Sequence, residues 1–268
     1  MPSSRPAAAD DWDKHWDDLG ESADGNPANT YRQRLIFQKL GIFQKLGACS
    51  TDARILDIGS GQGELAVLLR SRFPSAEVWG LEYSAEGVKR ASERAERAGL
   101  AVRFTQRDLL VGADLPSADR GWATHAVCSE VLEHVDDPAV LLRNARPYLA
   151  PGCRVVVTVP SGPRSAFDRY IGHRRHFTPQ SLRQTLVAGG FEPVTIERAG
   201  APFFNFYRLT VMLRGRKLIE DLAKPNDSFE QSSLIKLAYR VFDAAFRLNL
   251  PSTPIGWQLV AVATPHQA

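Results

Sequence analysis

Four stretches carry residues whose types and spacing suit chemistry. The first runs Asp57-Ile-Gly59-Ser-Gly61-Gln-Gly63-Glu64, with glycines at alternate positions between an apolar run, Ile55-Leu56, and an apolar helical pattern, Leu65, Leu68, Leu69. Glycine lets the backbone turn sharply and come close to a ligand, and a helix starting there offers unpaired N–H groups. In the dinucleotide fingerprint the third glycine falls one residue later. Here Glu64 stands where a pyrophosphate would approach, and Asp57 adds a second carboxylate. Acids beside a glycine turn suit a cationic ligand better than a diphosphate. The second stretch begins at Glu82, twenty-five residues after Asp57. A carboxylate at the end of a second strand can accept from ribose hydroxyls, with Tyr83 beside it to stack or pack, and Asp108-Leu109 follows the next strand.

The third stretch is Ser129 to Val135, SEVLEHV. Glu130 shares a face with Glu133 or His134 if the segment turns helically. His134, like His173 further on, has a side chain that titrates nearest neutrality and can serve as a base. Glu130, Glu133 and His134, completed by His173 or His176, are also a ligand set for a divalent cation. Local capping and pairing is the plainer reading. The fourth stretch, 161–178, reads SGPRSAFDRYIGHRRHFT. It interleaves Arg164, Arg169, His173, Arg174, Arg175 and His176 with Tyr170 and other aromatics, which suits a carboxylate, phosphate or diphosphate on the acceptor. The alternative is that these arginines pair with Asp168 and surface acids.

These groups need a scaffold, and the pattern supplies one. Short apolar runs predict strands over 54–58, 77–81, 101–106, 123–129, 154–159, 191–197 and 256–263, with helices between most of them. Such alternation gives a parallel sheet covered on both faces, with ligands beyond the carboxyl ends of the strands where strand order reverses. Residues 200–255 are too many for a plain connection. They begin PFFNFYRLTVML and continue with an amphipathic run, Leu234 to Leu248, which reads as a helical cap. A packing or dimer helix and a membrane-surface helix are the alternatives. Upstream, helices are expected from Asp11, carrying Trp12 and Trp16, and over 31–47. The latter contains a tandem IFQKLG, at 36–41 and 42–47, with Gly41 as a break. The organisation expected is a helical segment over 1–50, a core over 51–199 and 256–268, and a cap over 200–255.

Asp57-x-Gly59-x-Gly61-x-Gly63, Glu82 and Asp108-Leu109, in this order over residues 53–160, resemble the class I S-adenosylmethionine (SAM)-dependent methyltransferases. Gly152 and Pro160 fit as the turn before the fifth strand and the break after it. SEVLEHV resembles the small-molecule subgroup that includes the ubiquinone-biosynthesis O-methyltransferases. The resemblance implies a doubly wound, Rossmann-like α/β fold with a seven-stranded sheet, the last strand antiparallel and inserted beside the sixth. It implies SAM as cofactor, its sulfonium and ammonium answering the acids. Asp57, Gly59, Gly61, Gly63, Glu82, Tyr83, Asp108, Leu109 and Ser129 would bind it, Asp108 accepting from the adenine amine. Glu130, His134 and His173 are the catalytic candidates. Arg164, Arg169, Tyr170, Arg174, Arg175 and His176 are the candidates for the acceptor, a small anionic or polar metabolite methylated on oxygen. A metal on Glu130, Glu133 and His134 is the lesser reading; the small-RNA 2′-O-methyltransferases hold one with a similar E-x-x-E-H and a distant histidine. The rival functions are such a metal-assisted RNA enzyme and a non-catalytic SAM-binding protein.

Composition narrows this further. A chain of 268 residues, 44% apolar, builds one sizeable α/β domain with an appended element. A net charge of +3 gives no case for nucleic acid. Ser129-Glu130-Val131-Leu132 stands where an Asn/Asp-Pro-Pro-Tyr/Phe motif marks the amine methyltransferases of DNA. Cys49, Cys128 and Cys153 read as small buried hydrophobes in a reducing compartment. No apolar run reaches about 18 residues, and the N-terminal residues have no apolar signal core, so a cytoplasmic protein is expected. A homodimer is compatible with the sequence.

Overall fold

The computed structural model describes residues 12–13, 26–42, 53–112, 115–222, 233–250 and 252–266. Trp16, Cys49 and the second IFQKLG copy beyond Ile42 lie outside them. Helix α1 spans Pro27–Leu40. It starts earlier than expected because Asn26 caps it, accepting from the Ala28 N–H at 2.9 Å, and Pro27 supplies a preset first turn. It ends at Gly41, which adopts φ 69°.

The alternation then follows as β1 (Arg54–Ile58), α2 (Glu64–Arg72), β2 (Glu77–Glu82), α3 (Ala85–Arg97), β3 (Arg103–Gln106), β4 (Ala123–Ser129), α4 (Pro138–Ala145) and β5 (Leu149–Pro160). After these come a short α5 (Ala166–Tyr170), α6 (Pro179–Ala188), β6 (Phe191–Ala199), α7 (Phe203–Leu222), α8 (Ser233–Phe246) and β7 (Gln258–Pro265). The seven strands form one sheet in the order β3-β2-β1-β4-β5-β7-β6. β7 is antiparallel to both β5 and β6, whereas the pairs among β1 to β5 are parallel. β5 begins earlier than read from sequence. Leu149 already pairs with Ala123, and a register shift between Ala123 and His125 absorbs the Pro151-Gly152 turn.

Adjacent β1 residues feed opposite faces, Leu56 and Ile58 one cluster and Ile55 the other. Both faces are covered, which is why the strands read as continuous apolar runs. A third cluster joins segments that the sequence reading kept apart. Tyr31 and Leu35 of α1 pack with Phe204 of α7 and Phe246 of α8, the Tyr31 and Phe204 rings 5.2 Å apart. Arg34 pairs with Asp243 at 2.8 Å. α7 and α8 are therefore both packed onto α1. No described helix is long and apolar enough to cross a membrane.

Candidate functional site

Strand order reverses between β1 and β4, so the loop after β1 and the loop after β4 flank one crevice. On the β1 side the backbone leaves Ile58 through Gly59 (φ 72°), Gly61 (φ 53°) and Gly63 (φ 77°). A Cβ at Gly59 would lie 2.6 Å from Val131 Cγ2, and one at Gly63 2.7 Å from Ala91 Cβ. Both positions thus require glycine for conformation and for space. The loop is pinned from β2, where Glu82 accepts from the Gly61 N–H at 2.8 Å and the Ser84 N–H at 2.9 Å. Glu64 heads α2 and accepts from Asn29 and Gln33 of α1, the latter at 2.8 Å. It ties α1 to the loop at a helix end that favours negative charge.

Asp57 is 2% exposed, and its Oδ2 has no hydrogen-bond partner. Burial, with Glu82 as a second cause, pushes its carboxyl up to about 7. Burial also raises Glu82, against the backbone N–H groups that lower it. Two buried acids with no countercharge among the described residues form a place for a cation. Asp108 accepts from the Leu110 N–H at 2.8 Å, a turn contact, and Leu109 is buried. Tyr83 is half exposed, and Gln106 donates to its carbonyl at 3.2 Å. Ser129 differs from expectation in direction, since its hydroxyl bonds that of Thr158 on β5 at 2.9 Å.

On the β4 side Glu130 has φ 56°, and no other non-glycine among the described residues has a positive φ. Such strain persists where the surroundings over-determine it. Here Gln258 and Thr158 donate to Glu130 Oε1 at 2.9 and 3.2 Å, and Arg32 of α1 stands 3.7 Å from Oε2. Glu133, fully buried, has neither oxygen hydrogen-bonded. Its Oε1 lies 3.9 Å from His134 Nε2 and 4.0 Å from His173 Nε2. Burial, reinforced by the Glu130 charge, holds Glu133 well above the usual carboxylate range.

The fourth stretch supplies the rest of this cluster. α5 is held by a capping box in which Ser165 and Asp168 satisfy each other's N–H. The loop after it folds back so that the His173 N–H reaches the Asp168 carbonyl at 2.8 Å. His173 Nδ1 is 3.2 Å from His176 Nε2, and His176 Nδ1 is 3.1 Å from the Gly162 carbonyl. The carbonyl can only accept, so it fixes the proton on His176 Nδ1 and, in turn, on His173 Nδ1. Burial above all, then the His134 charge, depresses His173 to about 2, and burial lowers His176 also. Both rings are neutral. Two sets of ligand atoms lie within 4.8 Å of one another, Glu133–His134–His173 and Asp168–His173–His176. Glu130 belongs to neither, so the geometry replaces it with His173 in the expected metal set.

The arginines sort differently from expectation. Arg174 pairs with Asp136, and Arg175 donates to the Val135 and Asp136 carbonyls, the latter at 2.7 Å. Arg164 donates to the His173 and Arg174 carbonyls, and Arg169 to the Arg164 carbonyl. These side chains hold the loop, while Tyr170 is half exposed on α5. Residues outside every sequence motif complete the site. Arg208 of α7 pairs with buried Asp168 at 2.9 Å. Gln258 and Arg32 reach Glu130 from β7 and α1. Asp13 accepts from Ser84 Oγ and, at 3.1 Å, from the Glu86 N–H, while Trp12 packs edge-on to His134 at 4.9 Å. Residues 12–13 therefore touch both sides of the crevice. Sequence offered no signal for these beyond the polarity of Gln258 in an apolar strand.

Comparison with known proteins bears on the family and the fold. A methyltransferase-domain family model matches residues 29–196, more than half the chain. The chain belongs to that family, within the class I SAM-dependent methyltransferases. It is 36% identical over 115 residues to the demethylmenaquinone methyltransferase of Thermus thermophilus, covering 42% of this chain and 50% of that one. Thus the chain spans about half the length of the leading curated relatives it matches. The ubiquinone biosynthesis O-methyltransferase of Aeromonas salmonicida is 29% identical, covering 72% of this chain and 83% of its own. In fold, the geranyl diphosphate C-methyltransferase from Streptomyces coelicolor A3(2) matches 89% of this chain and 79% of its own, with a TM-score of 0.54 at 19% identity.

Proposed function

We propose that this protein transfers the methyl group of SAM to a small polar or anionic metabolite, on an oxygen atom. The observation that carries the reading is the crevice at the switch point. An acid-lined glycine loop with unbalanced Asp57 and Glu82 forms one wall, and His134, next to buried Glu133, forms the other. Held by Asp57 and Glu82, SAM would supply an electrophilic methyl carried on a thioether leaving group. The leaving thioether is neutral and needs no acid. The chain's part is alignment, worth several kcal/mol as effective concentration, and acceptance of the hydroxyl proton.

His134 takes that proton in this reading. It is half-buried beside Trp12, whereas His173, depressed to about 2 by burial, accepts protons too weakly and acts by positioning. Glu130 acts the same way, braced by Gln258, Thr158 and Arg32. Asp57 and Glu82 receive the cationic and ribose ends of the cofactor, and Asp108 faces the adenine. A second reading has one observation in its favour: both Glu133 oxygens lack hydrogen-bond partners. Glu133, His134 and His173 would then hold a divalent cation that polarises the acceptor oxygen.

The experiment is methyl-labelled SAM incubated with the protein and a fractionated cell extract, with and without chelator. Label in a small molecule, unaffected by chelation, is the expected result. Loss with chelator, restored by added metal, selects the second reading. Label in RNA or protein, or none at all, overturns both.

A further inference from the structure

Further along the carboxyl edge of the sheet, where β5, β7 and β6 end or begin, lies a cavity of about 390 Å³. The two ends of the 161–178 stretch line it, Ser161 and Gly162 at one end and His176 to Thr178 at the other, while Arg198, Ile255 and Trp257 come from outside that stretch. Its polar wall is Arg198, Ser161 and His176, and its apolar wall is Phe177, Ile255 and Trp257. Arg198 is the penultimate residue of β6, and its Nη1 donates to Ser161 Oγ at 2.9 Å and to the Gly256 carbonyl at 3.3 Å. No carboxylate among the described residues pairs with it. Arg208, Arg34 and Arg32 are answered by Asp168, Asp243 and Glu130, and Arg164, Arg169 and Arg175 donate to loop carbonyls and do not line the cavity. Arg198 is fixed by neutral acceptors with its charge unbalanced. A guanidinium held in this way presents its remaining N–H donors as a fork suited to a carboxylate or phosphate.

The rest of the cavity defines what the anion is attached to. Trp257 is seated directly on the backbone of Gly162, and Phe177 is buried beside it. His176 turns its Nδ1 to the Gly162 carbonyl at 3.1 Å. The same ring reaches His173 through Nε2, and His173 faces Glu133 and His134. The cavity is thus linked through two imidazoles to the wall of the crevice where methyl transfer is placed.

We infer that this cavity is the acceptor's anion subsite: Arg198 is the counter-ion of a carboxylate or phosphate, and Trp257, Phe177 and Ile255 enclose the apolar or aromatic frame that bears it. This rests on the reading of the protein as a small-molecule methyltransferase and names the chemistry of its acceptor.

The test is titration calorimetry of the full chain saturated with S-adenosylhomocysteine, using benzoate and phenyl phosphate as anionic probes and benzyl alcohol as the neutral control. Binding of either anion is expected, the better of the two naming the headgroup, with benzyl alcohol at least tenfold weaker. Arg198→Gln is expected to weaken the anion at least tenfold while leaving S-adenosylhomocysteine affinity unchanged. Arg198 also braces Ser161, so Ile255→Glu serves as the second variant. That residue is 66% exposed, and a carboxylate at the cavity mouth should repel the anion by a similar factor without touching the core. Anion binding that neither variant weakens, or no preference over benzyl alcohol, overturns the inference. Failure of the wild type to bind S-adenosylhomocysteine overturns instead the methyltransferase reading on which it rests.

Discussion

Replacing Arg208 with methionine tests whether α7 is what holds the histidine loop in place. Asp168 is fully buried, and Arg208 Nη2 lies 2.9 Å from its Oδ1 and 3.0 Å from its Oδ2. Methionine keeps the apolar stem that arginine packs and removes only the charge. Breaking a buried pair from one side costs about 3–5 kcal/mol, because the remaining charge is left uncompensated. Asp168 would keep the Ser165 N–H at 2.6 Å and hydroxyl at 2.7 Å, so the lower end applies, about 3 kcal/mol. The pH dependence follows from the same contacts. Burial raises Asp168, but Arg208 and the Ser165 N–H and hydroxyl outweigh it and hold it below the ordinary value. In the wild type its contribution is full above the unfolded pKa and is lost only as pH falls through the lower folded value. Without Arg208 burial dominates and the carboxyl rises. The penalty is then largest at neutral pH and shrinks as acid protonates Asp168. Urea unfolding at about pH 7.5 and about pH 5 reads both effects. Asp168→Asn in the Arg208→Met background should recover much of the loss, a coupling of about 2 kcal/mol. A loss below about 1 kcal/mol, or one that does not shrink in acid, refutes the reasoning.

Gly63→Ala should abolish measurable S-adenosylhomocysteine binding by calorimetry and destabilise the fold by about 1–2 kcal/mol from backbone conformation alone, with the Ala91 clash in addition. SAM affinity should fall as pH drops below about 7, since the cofactor's cation selects ionised Asp57; Asp57→Asn should flatten that profile and weaken binding, and an unchanged profile removes Asp57 from the site. Glu133→Gln should raise stability relative to the wild type as pH climbs past the ordinary glutamate value, because a carboxyl raised by burial opposes folding once the unfolded chain ionises. If Glu133 instead ligates a metal, the same variant should lose metal uptake measured by elemental analysis. Deletion of 200–255 should collapse the histidine loop and expose the α1 cluster, read as lost near-ultraviolet circular dichroism, because Arg208, Asp243 and Phe246 all lie in the deleted segment.

Sequence alone determined the scaffold and the glycine-loop wall of the crevice. Asp57, the three glycines, Glu82 and Asp108 stand at strand ends, and strand ends are set by local patterns: apolar runs, turn glycines and caps. Their spacing was legible because each βα unit is short and right-handed, so order along the chain dictates position along the sheet. Even the glycine requirement at 59 and 63 follows from a local turn. The neighbours that make it absolute, Val131 and Ala91, come from elsewhere.

Only the tertiary structure decided the opposite wall and the cavity beyond it. The arginine-rich loop looked like an anion site, yet Arg164, Arg174 and Arg175 face carbonyls and Asp136 because the loop folds back on itself. The arginine that lines the cavity without a carboxylate among the described residues is Arg198, a single arginine in an ordinary strand pattern, and its meaning depends on β7 lying antiparallel between β5 and β6. Glu130 leaves the metal set for the same kind of reason, since Gln258 from residues 128 positions away captures its oxygen. Charge pairing and burial are properties of neighbours brought together by long-range folding. Spacing in sequence specifies which groups exist, and the packing of distant elements specifies which of them keep an unanswered charge.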